Sequence, residues 1–228
     1  MGGGVGAARQ PPPGRVARRR DRKVQDILSA VAEVLAERGY HGLSLDEVAD
    51  RLDLTKASLY HYFPSKEALV SSCLDQLGSS LNDQLRGVVE ANPGTATEQL
   101  GLLIRSQLDL IVRSRPEMAR LFIQPHDWPE PYRRRTRRLR EQHDAIFRAV
   151  VRRGIALGEF VVDEDVAMHN LYGAMNHVPV WFRGRRKKDL DAVAVAVASN
   201  LLRLFHPSAG PGAGAGADPR ASRADSTT

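Results

Sequence analysis

SLDEVADRLDLTKASLYHYFPSKEA, residues 44–68, holds two short helical patterns, a break, and the start of a third helix. Ser44 and Glu47 fit a capping box, in which side chain and backbone satisfy each other's orphan N–H groups. Leu45, Val48, Ala49 and Leu52 follow at spacings of three and four, the apolar face of a short helix. Asp53 stands where the chain must turn, and Asp tolerates left-handed backbone better than most residues. Thr55 is a good N-cap for a second helix, Pro64 stops that helix near Tyr62, and Ser65 caps the next. Two short helices joined by a tight turn make a helix-turn-helix, whose second helix enters the major groove of duplex DNA. Thr55, Lys56, Ala57, Ser58, Tyr60, His61 and Tyr62 on that helix, with Ser44 and Lys66 flanking it, are the expected DNA contacts. They offer hydroxyls and phenols for phosphate oxygens, cations, and small side chains for close approach. The alternative is a compact helical hairpin with no nucleic-acid role.

Outward from this stretch the pattern stays helical. Upstream, Asp21 to Arg38 carries Val24, Ile27, Leu28, Val31, Val34 and Leu35 on one stripe, and Gly39 ends it. Residues 1–20 are Gly, Pro, Ala and Arg, expected as a disordered basic arm that either is solvated or meets DNA. Downstream, Ser65 to about Glu90 is a long helix, with Lys66 and the helix N-terminus both able to meet a phosphate. Helices then follow over Thr95–Arg113, Pro116–Ile123, Tyr132–Leu157, an element running from Asp163 to Phe182, and Lys187–Phe205. A three-proline loop precedes Tyr132. The expected fold is all-α with about nine helices. A three-helix N-terminal domain, 21–66, carries the helix-turn-helix. An antiparallel helical domain for ligand binding and dimerisation spans 67–206, and 207–228 is a disordered tail. Small residues on the last two helices, among them Gly173, Ala174, Ala192 and Ala196, let helices approach closely, so a two-fold homodimer through them is expected.

The 228 residues carry 33 Lys and Arg against 27 Asp and Glu, a net charge of +6. A basic balance favours a polyanionic partner. The single cysteine, Cys73, excludes an internal disulfide framework, fits a reducing cytoplasm, and falls on an apolar helix face as a core residue. No apolar run reaches membrane-spanning length, and the N-terminus lacks the apolar centre of a signal peptide, so no membrane partner is expected. The run Arg133–Arg140 is either a solvated face, a partner for neighbouring acids, or a second DNA contact. Asp165 and His169, four apart on a helix, either make a local pair or share a metal. There is no G-x-S-x-G, P-loop, H-E-x-x-H or paired CxxC, so neither catalysis nor a cofactor is expected.

The run LTKASLYHYFPSKEAL resembles the DNA-binding segment of the TetR family of bacterial transcriptional repressors. Thr55, Leu59, Tyr60, His61, Tyr62, Phe63, Lys66, Glu67 and Leu69 carry the likeness, which extends from Arg20 to Leu74. One departure is Asp53, where the family usually has Gly. The resemblance implies a cytoplasmic, nucleoid-associated homodimer with a four-helix interface. It would bind an inverted-repeat operator with half-sites about 34–36 Å apart or a multiple. A small apolar effector would release the operator. The segment LYGAMNHVPVWFR is similar to a helix of family members that sense acyl-CoA thioesters. This implies an apolar pocket lined by Phe122, Trp128, His143, Phe147, Tyr172, Met175 and Asn176. A regulator of drug efflux, an activator, and an enzyme using the apolar cavity are the alternatives.

Overall fold

Arg15 opens the first helix, earlier than the apolar stripe alone requires. The structure, a computed structural model, describes residues 14–123, 127–182 and 186–206. In it α1 spans Arg15–Gly42. Residues 15–20, expected as part of a disordered arm, are instead its first turns. Arg and Ala are strong helix formers, and that propensity extends the helix beyond its buried stripe. Residues 1–13 and the tail 207–228, the other segments expected to be disordered, lie outside the described residues. Gly39 breaks α1 with φ of 69°, a left-handed value that glycine adopts without strain.

α2 (Leu45–Asp50) begins at Ser44, whose hydroxyl accepts from the Glu47 amide at 3.4 Å. Glu47 does not complete the expected capping box. Its carboxylate turns to Arg38 at 2.9 Å and Arg51 at 2.8 Å. Arg51 also reaches Glu37 at 2.6 Å and Glu33 at 3.6 Å, tying the end of α2 back to α1 and holding the Glu37 carboxyl below the usual range. Asp53 takes φ of 51° in the turn, as expected, while the Leu54 amide donates to Ala49 O at 3.0 Å. α3 (Lys56–Tyr62) is capped by Thr55, whose hydroxyl accepts from the Ser58 amide at 3.1 Å.

α4 (Lys66–Ala91) supplies Leu69, Val70, Cys73, Leu74 and Leu77 to a core shared with α1, α2 and α3. The same core takes in Met118, Leu121, Trp128 and Tyr132. Cys73 is fully buried, donates to Leu28 O at 3.5 Å, and has its thiol pushed up to about 12 by burial. It is a core residue.

α5 (Ala96–Asp109) continues as a π-helical turn through Ser114, closed by Arg115 N bonding Leu110 O at 2.7 Å. α6 (Pro116–Met118) likewise runs into a π-helical turn to Ile123. α7 (Glu130–Ala156), α8 (Glu164–Trp181) and α9 (Lys187–Phe205) are the last helices among the described residues, with Asp163 capping α8. No described residue lies in a strand, and no described helix is long and apolar enough to cross a membrane. The described residues fall into two compact units, with the chain passing from one to the other after residues 87, 107 and 146. The first half of α4 buries its apolar side against α1 and so belongs with the helix-turn-helix.

In the second unit Phe160 packs against Phe205, ring centroids 5.2 Å apart. The Glu159 carboxylate caps α5, accepting from the Ala96 amide at 3.1 Å and the Thr97 amide at 3.0 Å. Those two bonds hold its carboxyl below the ordinary range. α8 is anchored to α7 by Arg148 and Arg152, which bind Glu164 at 2.7 and 2.9 Å.

Candidate nucleic-acid interface

Only Leu59 of the seven residues of α3 is buried. That single anchor leaves most of the helix outside. Lys56, Ala57, Tyr60 and His61 are exposed, and Tyr60 keeps 45% of its surface. Thr55 is exposed but its hydroxyl is engaged as a cap and lies 2.9 Å from Ser58 Oγ. Tyr62 is partly buried against the core, so its ring serves packing. Ser44 is half-buried with its hydroxyl in the α2 cap. Lys66 is placed differently from the rest: its ammonium donates to Leu43 O at 2.8 Å and sits 4.9 Å from the centroid of the Tyr40 ring. It straps the start of α4 to the α1–α2 link.

Asp46 escaped the sequence reading. Its carboxylate receives the Lys56 ammonium at 3.0 Å, with both side chains well exposed. The pairing holds the Lys56 amine above its ordinary range. Ten residues separate the two, so no helical spacing announces the pair.

The chain that carries this capped helix-turn-helix, with its solvent-facing second helix, matches two family models. The one described as bacterial regulatory proteins, tetR family, covers residues 27–73; a tetracyclin repressor-like C-terminal domain covers 93–205. The chain belongs to the tetR family. It is a transcriptional regulator with a helix-turn-helix DNA-binding domain, and not an enzyme. This tetR-family chain is 24% identical to the fatty acid metabolism regulator protein of Bacillus subtilis, over 81% of its own length and 96% of that protein's. It is 28% identical to a TetR/AcrR-family regulator from Thermobifida fusca, with a TM-score of 0.61 over 82% of this chain and all of that one. Its fold also matches FadR from Bacillus subtilis in complex with stearoyl-CoA (23% identity, TM-score 0.64, 80% and 99% coverage). AibR in complex with isovaleryl coenzyme A and operator DNA matches likewise (21%, 0.65, 81% and 98%).

In this tetR-family regulator the seven residues expected at the effector pocket are divided between the units. Phe122, Trp128 and His143 fall in the first, Phe147, Tyr172, Met175 and Asn176 in the second. Trp128 is 3% exposed and, with the partly buried Phe122, packs into the core of the helix-turn-helix unit. Phe147 meets Tyr172 edge-on at 5.6 Å. Met175 is fully buried and Asn176 half-buried. A cleft of about 140 Å³ in the first unit is lined by Gln76, Leu77, Leu81, Leu110 and Met118 among others, and by none of these seven.

The arginine run of α7 is largely paired within the first unit. Arg133 and Arg134 pair with Glu130, Arg135 with Asp75, and Arg140 donates to Phe122 O at 2.9 Å. The Asp165–His169 pair is local: the His169 Nδ1 lies 2.7 Å from Asp165 O while Arg148 takes the Asp165 carboxylate at 2.8 Å.

Burial pushes the His143 imidazole down to about 4 from 6.5, so the folded chain keeps it neutral. The unfolded chain takes up that proton near pH 6.5. Stability is therefore complete above that pH and falls as pH drops toward 4, by roughly 1.4 kcal/mol per pH unit. Denaturant unfolding of the wild type and His143→Gln across pH 4–7 checks this. The expected outcome is a shallower slope in the variant; parallel slopes would assign the pH dependence to other groups.

Proposed function

We propose that this chain is a homodimeric repressor whose α3 reads each half of an inverted-repeat operator, and that an acyl-CoA thioester or related lipid catabolite releases it. The observation that carries the reading is the exposed face of α3, presented by a unit in which caps and ion pairs fix both short helices. Ser44, Thr55, Lys56, Ala57, Ser58, Tyr60 and His61 would make the contacts. Lys66 and Tyr62 would support them from within the protein, Lys66 through its bond to Leu43 O, which leaves two ammonium protons for a phosphate.

The dimer is supported by α8 and α9, which pack on each other and leave apolar surface outside. Val166, Gly173, Ala174 and Trp181 on α8, and Ala192, Val195, Ala196 and Leu204 on α9, are exposed in one protomer. Small and apolar side chains along two adjacent helices suit a second copy. The effector class rests on the two relatives captured with coenzyme A thioesters. An effector need only favour the non-binding arrangement by ~1–3 kcal/mol to weaken operator binding measurably.

The test is to select duplexes from a random library with the pure full-length protein, then titrate the winners with acyl-CoAs of graded chain length. An inverted repeat, released by one length class, is expected. Selection of no common sequence removes the reading of α3. A selected repeat that no thioester releases removes the effector class and leaves the DNA reading intact. Tyr60→Ala should weaken binding to selected and random duplexes alike, because a phenol on a phosphate carries no sequence information; a loss confined to the selected duplex would assign Tyr60 to a base instead.

A further inference from the structure

We propose that Asp46 and Lys56 act together as one base-reading unit, recognising a single base pair per half-site with a keto group on one strand and an amino group on the other, G·C before T·A. This rests on α3 being the major-groove helix. Lys56 is the first residue of α3 and Asp46 the second of α2. Their bond, Nζ to Oδ2 at 3.0 Å, bridges the two helices at the surface, with 48% and 66% of the side chains exposed. It uses one of three ammonium protons and leaves carboxylate lone pairs for a second donor. The acid's own place is set, because α2 is held at one end by the Ser44 cap and at the other by Arg51.

The spacing is what a base pair offers. Guanine presents O6 and N7 as acceptors in the major groove, and its partner cytosine presents the N4 amino group as donor. O6 and N4 are joined by an ordinary hydrogen bond and so lie about 2.9 Å apart. An ammonium and a carboxylate held 3.0 Å apart meet that edge group for group. Lys56 donates to O6 or N7, and Asp46 accepts from N4. T·A presents the same order, O4 then N6, but a methyl group replaces the N7 acceptor. C·G and A·T reverse the order, setting the carboxylate against an acceptor and the ammonium against an amino group. An acid with no base to accept from would only repel the phosphates.

The experiment is duplex selection with full-length wild type, Asp46→Ala, Lys56→Ala and the control Asp50→Ala, an exposed acid elsewhere on α2. Each half-site of the wild type should hold one position restricted to G·C, preferred by at least about tenfold over C·G. In Asp46→Ala and Lys56→Ala that one position should relax to less than about threefold, with the other positions kept. Asp50→Ala should select the wild-type sequence. Thermal midpoints close to wild type establish that the variants fold. If Asp46→Ala selects the wild-type sequence with undiminished preference, the pair is only a surface ion pair, and the proposal is overturned while the reading of α3 stands. If the wild type selects nothing, the reading of α3 fails first and this inference with it.

Discussion

Leu59→Ala is expected to lower the stability of the helix-turn-helix unit by ~2–5 kcal/mol and to abolish specific duplex binding. Leu59 keeps 1% of its surface and is the only buried residue of α3. A seven-residue helix has no stability of its own, since nucleation costs more than so few hydrogen bonds return. Its geometry is therefore borrowed from the core it plugs into. Truncating that plug removes the transfer energy of three carbons and opens a cavity under the reading helix. Thr55 would still cap the helix, but nothing apolar on the helix itself would hold its angle beyond the partly buried Tyr62. Guanidinium unfolding gives the stability loss and a duplex titration gives the affinity. A variant with both unchanged would show that α3 is held by its caps and turn instead.

Ala174→Glu combined with Ala196→Glu is expected to convert the protein to a monomer at micromolar concentration and to weaken binding to the selected inverted repeat by roughly 10²–10⁴-fold. Both alanines are exposed in one protomer, so neither charge is buried by folding alone. In the proposed dimer each would be desolvated beside its symmetry mate, and buried like charges are among the costliest arrangements. The affinity loss follows from linkage: the second half-site is bound at high effective concentration only while the protomers are joined. Sedimentation velocity reports the mass. A variant that remains a dimer places the two-fold elsewhere and leaves the exposed stripe of α8 and α9 unexplained.

The parts legible in residues alone were those governed by neighbours in the chain. Ser44 and Thr55 cap the helices their types announce, because an N-cap bonds an amide three residues on. Asp53 takes the left-handed turn, and the stripe from Ile27 to Leu35 is buried, because both depend on local backbone and period. The tertiary structure alone decided where side chains distant in sequence end up. Glu47 closes onto Arg38 and Arg51 rather than its own cap, and Lys66 turns to Leu43 and Tyr40. Lys56 is held by Asp46, and Trp128 joins the core beneath the helix-turn-helix. The physical reason is range: a cap or a turn is settled within four residues, whereas an ion pair or a core contact forms only once packing has brought separate helices to one place.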